Sequence, residues 1–235
     1  MPLPHAKQES YRIFDAIAGR YDLINTVLSG GLHRLWRRAL RLALPQKINM
    51  QVLDLATGTG DVAIELVKNP HVRQVKGLDL SKGMIARGQE KIAAIGLADR
   101  IALQVGDAQK IPFPDASFDA VTLSFGIRNV ADVPRCLSEI YRVLKPGGRC
   151  LILEFGLPRQ KILRAAHLFY LRHILPGLGR ALSGHPTAYS YLNQTIEEFP
   201  YGEAFAELLS NAGFADADFT PMSAGIVQLY RGDKP

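Results

Sequence analysis

Hydrophobic and polar positions change their period several times along the 235-residue chain. Residues 9–27 carry Tyr11, Phe14, Ile17, Ala18 and Tyr21 at helical spacing, and Ser29-Gly30-Gly31 breaks that pattern. The stripe Leu32, Leu35, Trp36, Ala39, Leu40 and Ala43 predicts a second helix over 32–43, which Pro45 ends. Beyond Gln51, short apolar runs alternate with amphipathic stretches. The runs 52–55, 75–80, 101–105, 118–125 and 149–155 predict five strands. Between them, 61–68, a segment N-capped by Ser81 and running to residue 94, and 132–143 predict helices. Pro146-Gly147-Gly148 reads as the turn into the fifth strand. Residues 202–212 predict one more helix, with Gly213 at its C-terminal turn. Residues 214–221 and 226–230 then predict two strands joined through Ser223-Ala224-Gly225. This alternation implies a doubly wound, Rossmann-like α/β fold, with a mostly parallel seven-stranded sheet closed by an antiparallel C-terminal hairpin. We expect a single domain over 1–235. Residues 1–47 would supply N-terminal helices forming part of a lid, and 156–200 a helical insertion after strand five, near the mouth of the site.

Composition adds limits. Apolar residues make up 47% and charged residues 21%, the balance of a soluble globular protein with a sizeable core. No stretch approaches the roughly 18 uncharged apolar residues of a membrane span. Lys7, Glu9, Arg12, Asp15 and Arg20 interrupt the first twenty residues, so no secretory leader is expected and the cytoplasm is the natural compartment. Cys136 and Cys150 lack a close spacing and read as buried, reduced thiols; no metal-ligand spacing appears. The net charge of +6 leaves nucleic acid, a membrane surface or an anionic ligand open. Part of it lies on Arg34, Arg37, Arg38 and Arg41, which share one helix face and would ordinarily be solvated. His33, beside that face, reads as a surface residue. A second basic segment, 158–183, mixes Lys161, Arg164, His167, Arg172, His173 and Arg180 with apolar residues. No RNA-binding motif accompanies either, so nucleic acid is not an expected partner.

The candidate chemistry begins where the first strand runs into Asp54-Leu55-Ala56-Thr57-Gly58-Thr59-Gly60-Asp61. Glycines let a backbone turn sharply and approach a ligand closely. Gly58-x-Gly60-x-x-Ala63, with Asp79 downstream, matches the dinucleotide fingerprint, so a nicotinamide oxidoreductase is the natural rival. Three acidic residues at successive strand ends argue otherwise: Asp54, Asp79 and, after Gly106, Asp107. They suit a ligand that offers an ammonium, ribose hydroxyls and an exocyclic amine, and they suit a pyrophosphate poorly. S-adenosylmethionine has those donors, and its carboxylate can lie on the glycine loop.

Several longer segments carry a resemblance. They include Phe14-Asp15-x-Ile17-Ala18-x-Arg20-Tyr21-Asp22-x-x-Asn25 and Leu28-Ser29-x-Gly31-Leu32-His33-Arg34-x-Trp36-Arg37. Ser124-Phe125-Gly126-Ile127-Arg128-Asn129-Val130, Tyr141-Arg142-Val143-Leu144-Lys145-Pro146-Gly147-Gly148 and Gly225-Ile226-Val227-x-Leu229-Tyr230-Arg231-Gly232 extend it over nearly the whole chain. Across them the sequence resembles the ubiquinone/menaquinone biosynthesis C-methyltransferases, class I enzymes dependent on S-adenosylmethionine. The glycine and Leu-Lys-Pro-Gly-Gly motifs occur in many methyltransferases; the N-terminal segments and 124–130 are more specific. The resemblance implies methylation of a ring carbon on a polyprenylated quinol precursor, with demethylmenaquinol to menaquinol as first choice. It also implies cofactor contacts at Thr59, Asp79, Asp107, Ala108 and Ser124, and makes 125–129 a loop over the transferred methyl. Thr57 and Gly30 depart from residues common among relatives without undermining the cofactor site.

An aromatic carbon is a poor nucleophile until a ring hydroxyl ionises. A guanidinium is a poor base but lowers the pKa of a nearby phenol, which makes Arg128 the candidate for stabilising that charge. An exposed or salt-bridged loop arginine is the alternative. Asn129 and Tyr21 would orient the hydroxyl or a water, and the proton's acceptor is left open. His167 and His173 sit in the insertion, where a substrate role is the minor reading against a structural one. The substrate class makes peripheral contact of 158–183, and of the Arg34–Arg41 face, with anionic lipid worth testing. Homo-oligomerisation stays open. The competing functions are another small-molecule methyltransferase, the oxidoreductase and a non-enzymatic assembly subunit.

Overall fold

The computed structural model describes Asp15, Gly19 and residues 21–177 and 188–235, with the side chains of Tyr21 and of 188–192 outside that description. Two helices open it, α1 (Tyr21–Leu28) and α2 (His33–Leu42). An alternating series follows: β1 (Met50–Leu55), α3 (Asp61–Leu66), β2 (Val72–Asp79), α4 (Lys82–Ala94), β3 (Ile101–Val105) and β4 (Phe118–Ser124). After a 3-10 turn at Ile127–Asn129 come α5 (Val133–Val143) and β5 (Leu144–Phe155). The insertion holds α6 (Lys161–Phe169), a π turn (Tyr170–Ile174) and α7 (Ala188–Glu198); α8 (Glu203–Asn211), β6 (Ala215–Met222) and β7 (Val227–Asp233) finish the fold.

The seven strands run in the order β3-β2-β1-β4-β5-β7-β6. All neighbours pair parallel except β7, which is antiparallel to both β5 and β6. This is the expected sheet. Strands β1 and β4 sit at its centre and are buried almost throughout, because helices cover both faces. On one face Leu53, Leu123, Ile140, Phe205 and Tyr230 pack together. On the other, Val52, Leu66, Val75, Leu103 and Leu151 do so. The sheet order reverses between β1 and β4, and a crevice forms outside the carboxyl ends of such strands.

One expectation needed correction. Pro146-Gly147-Gly148 is not a separate turn but lies within β5. Pairing of β4 with β5 shifts register between Phe118 and Ala120, and Gly147 adopts φ +68 there while its N–H donates to Lys234 O at 2.8 Å. Glycine absorbs the irregularity, so the strand continues past it. The first helix, expected over 9–27, falls partly outside the described residues; its described part runs to Leu28. Cys136 and Cys150 are both free and buried.

The N-terminal helices and the insertion close over the crevice. Ile24 of α1 joins Leu157, Leu171, Leu175 and Ile196 in a small core of their own. Tyr170 Oη donates to Leu28 O at 3.0 Å, tying the π turn to α1. On α2, the Trp36 indole N–H donates to Ser223 Oγ at 2.9 Å and its ring packs 5.8 Å from that of Phe125.

Candidate active site

The glycine loop leaves β1 through Ala56, which holds φ +49, a left-handed conformation that costs a residue with a Cβ. Beneath the loop, Asp54 is fully buried. Its Oδ2 accepts from Thr57 Oγ1 and its Oδ1 from Thr122 Oγ1, each at 2.6 Å. Burial pushes its carboxyl up to about 6, against the two hydroxyl bonds that favour the anion. Both oxygens thereby brace the loop and β4 from beneath. Asp79 ends β2, where Oδ2 accepts the Gly58 N–H at 2.8 Å and Oδ1 the Ser81 N–H at 2.9 Å. Desolvation raises its pKa, and those backbone donors oppose the rise. The Gly58 N–H that a pyrophosphate would need is thus spent on a carboxylate. Asp107 lies beyond the end of β3, its Oδ1 accepting the Gln109 N–H at 2.8 Å. Ala108 beside it packs against the core.

Glycines elsewhere let other elements close on the loop. A Cβ on Gly126 would stand 2.4 Å from Ala56 Cβ, and one on Gly88 of α4 would stand 3.1 Å from the Thr59 carbonyl carbon. Loop 125–129 is itself strained, with Phe125 at φ +56.

Arg128 is buried, not a solvent-facing loop arginine. Its Nη1 donates to Glu154 Oε1 at 2.7 Å and to Phe125 O at 2.5 Å. Glu154 is 1% exposed on β5, and the guanidinium lies over the Phe155 ring. The salt-bridge alternative is real, yet Arg128 also lines a cavity, and its Nε is buried without a partner. A paired guanidinium keeps its donors but shares its charge with Glu154.

That cavity, about 370 Å³, opens beside the glycine loop. Of the expected residues it brings together Gly58, Thr59, Ser124, Arg128 and Asn129. Asp54, Gly60, Asp79, Asp107 and Ala108 do not line it; Asp79 reaches the loop through the Gly58 N–H. The Tyr21 side chain lies outside the described residues. Thr59 Oγ1 donates to Asp22 Oδ1 at 2.7 Å, while Lys91 Nζ reaches Thr59 Oγ1, Asp22 Oδ2 and Asp61 Oδ1. This cluster pins α1 against the loop. Ser124 Oγ is buried without a partner, a free polar atom in the cavity wall beside the loop. Acceptors at Asp79 and Asp107 and an orphan hydroxyl at Ser124 suit the ribose, amine and amino-acid ends of S-adenosylmethionine.

Sequence reasoning missed several members. His33 is not on the surface: it is 6% exposed and lines the cavity. Its spacing to Trp36 and Leu40, all three buried on α2, was the signal that could have found it. His167 and Tyr170 of the insertion also line the cavity. Glu154, the partner of Arg128, carried no sequence signal.

A model described as the ubiE/COQ5 methyltransferase family matches residues 4–234. The chain is 43% identical over 223 residues to the ubiquinone/menaquinone biosynthesis C-methyltransferase UbiE of Geobacter sulfurreducens, covering 94% of this chain and 87% of that one. It is 37% identical over 236 residues to the protein of the same description from Cellvibrio japonicus, covering 100% and 95%. Among solved structures it is similar to a SAM-dependent methyltransferase from Thermotoga maritima, with TM-score 0.68 and 18% identity over 96% of this chain and 100% of that one. A SAM-dependent methyltransferase from Aquifex aeolicus aligns with TM-score 0.60 and 19% identity, over 81% of this chain and 85% of that one. At such identities the two structures speak for the fold.

Proposed function

The chain belongs to the ubiE/COQ5 methyltransferase family, and we propose that it moves a methyl group from S-adenosylmethionine to a ring carbon of a polyprenylated quinol precursor, demethylmenaquinol to menaquinol being the first choice. Its curated relatives carry the description of ubiquinone/menaquinone biosynthesis C-methyltransferases. The observation that carries the reading is the composite cavity. One wall is the glycine loop, and others are the apolar side chains Ile24, Leu28, Trp36, Leu171, Leu175 and Ile196. A charged cofactor end and an apolar substrate end therefore share one space.

The cofactor supplies a sulfonium methyl already activated for transfer. The protein's task is to hold the ring carbon in line with it and keep water out. In this reading Asp79 accepts from the ribose hydroxyls and Asp107 from the adenine amine. Gly58, Thr59, Gly60, Ala108 and Ser124 flank the remainder, with Asp54 fixing the loop from below. The Asp22–Thr59–Lys91 cluster supports the role of α1 as a lid, since it bonds that helix to the loop. Arg128 and Asn129, with Tyr21, orient the ring hydroxyl and favour its ionised form. The insertion would meet the membrane from which a polyprenylated substrate comes. Ile162 is 84% and Phe169 57% exposed there, beside exposed Arg164. Among the described residues no helix is long and apolar enough to cross a membrane.

A thermal-shift titration tests the cofactor half. S-adenosylhomocysteine at a hundred times its dissociation constant should add about 2.7 kcal/mol, roughly 5–10 °C in melting temperature. A shift with NAD and none with S-adenosylhomocysteine would overturn it.

A further inference from the structure

Ionising a ring hydroxyl requires a proton acceptor, and neither Arg128 nor Asn129 is one. Among the described residues two imidazoles line the cavity, His33 and His167. The surroundings of His33 set its tautomer. Ser29 Oγ lies 2.6 Å from Asn25 O and 2.7 Å from His33 Nδ1. The hydroxyl has one hydrogen, and the carbonyl can only accept, so that hydrogen goes to Asn25. Ser29 Oγ must then accept from His33, which carries its own hydrogen on Nδ1 and its lone pair on Nε2. Among the described residues Nε2 has no hydrogen-bond partner. Burial lowers the His33 pKa, and Arg37 and Arg34 on the same helix lower it further; Asp61 of α3 and Asp22 of α1 pull the other way. The ring is neutral at pH 7, as a base must be. For His167, no described group fixes the tautomer in the same way, and its Nε2 is buried without a partner.

We infer that His33 is the catalytic base, its Nε2 taking the hydroxyl proton of the quinol as the ring carbon attacks the methyl. This rests on the quinol reading of the cavity. In the step the O–H bond breaks and an Nε2–H bond forms. The oxygen's electron pair moves into the ring, the new C–CH3 bond forms, and the S–CH3 bond breaks with its electrons left on sulfur. The methylated carbon then loses its hydrogen to water as a proton, while the imidazolium returns the hydroxyl proton to oxygen. One proton is released per methyl transferred, and His33 ends neutral.

The test is the pH dependence of kcat with a saturating demethylated quinol, for the native chain and for His33→Asn and Ser29→Ala. Asparagine at 33 keeps an N–H for Ser29 but has no basic nitrogen. The native kcat should fall as pH drops through the lowered imidazole pKa. His33→Asn should lose this acid limb and on the order of 10²–10⁴ in kcat, while keeping the melting shift with S-adenosylhomocysteine. Ser29→Ala, which frees the tautomer, should lose about tenfold and move the limb. An unchanged kcat and acid limb in His33→Asn would overturn the assignment. So would a limb that survives there but vanishes in His167→Asn. Should His33→Asn fail to fold, an unmoved limb in Ser29→Ala overturns it instead. If the native chain transfers no methyl to the quinol, the quinol reading itself fails and takes the base with it. Native turnover with an unaltered variant profile defeats the base alone.

Discussion

At the scale of single residues, the site turns on how buried charges are held. Arg128 and Glu154 form an ion pair at 2.7 Å with 5% and 1% of their side chains exposed. Replacing Arg128 with Ala would strand the Glu154 carboxylate and cost about 3–5 kcal/mol. Such a variant confuses folding with chemistry. Arg128→Lys keeps a cation but not the planar fork. It should retain the S-adenosylhomocysteine melting shift and lose turnover; loss of the shift would show that Arg128 serves the cofactor. Asp54 offers a second test through pH. Its pKa is raised from 3.8 to about 6 chiefly by desolvation, so the folded state holds this proton more tightly than the unfolded chain. The resulting stabilisation is complete below pH 3.8 and is lost as pH rises through about 6; at pH 7 the ionised group costs about 3 kcal/mol. Melting curves should therefore show the native protein gaining stability relative to Asp54→Asn as pH falls from about 6 to 4. Parallel curves would remove Asp54 as the titrating group. These residue-level facts were only half legible beforehand. The acidic strand ends and Arg128 stood out by motif. The Glu154 pairing did not, because it joins positions 26 residues apart that only the fold brings together. His33 was misread because its arginine neighbours suggested a solvated face, although it shares the buried side of α2 with Trp36 and Leu40.

At the scale of elements, close approach is the recurring device. Loop 125–129 and the glycine loop touch at Gly126 and Ala56, each loop bearing one strained residue. Gly126→Ala puts a Cβ against another Cβ, with no flexible end to give way. It should destabilise the fold by about 1–3 kcal/mol and weaken S-adenosylhomocysteine binding in calorimetry. Native affinity in that variant would show that the two loops are not coupled. The strand and helix series was readable from periodicity because central strands are apolar runs and the helices between them are amphipathic. Boundaries were less so: β1 and β2 begin earlier than the apolar runs, at Met50 and Val72, since polar residues also pair in the ladder. Pro146-Gly147-Gly148 read as a turn because proline and glycine usually break strands, whereas here they carry a register shift within one. The π turn at Tyr170–Ile174 had no sequence signature.

Across the whole molecule, the net charge of +6 is distributed unequally between paired and free groups. Arg37 and Arg41 of α2 are bound to Asp61 and Glu65 of α3, so that half of the basic face belongs to the fold. Arg34 and Arg38 stay exposed, as do Ile162, Phe169 and Ile174 of the insertion. Vesicle flotation should accordingly retain the protein more strongly on anionic than on neutral lipid, with retention falling as salt rises. Retention independent of anionic lipid would remove the membrane role of this face. In the proposed reaction one methyl group passes from the glycine-loop side of the cavity to a quinol carbon on its apolar side. Incubating the native chain with deuterium-labelled S-adenosylmethionine and demethylmenaquinol, then analysing the quinol by mass spectrometry, measures it directly. A labelled methyl on a ring carbon and an equal yield of S-adenosylhomocysteine are expected. Unlabelled quinol from a protein that still shows the S-adenosylhomocysteine melting shift would contradict the proposed reaction.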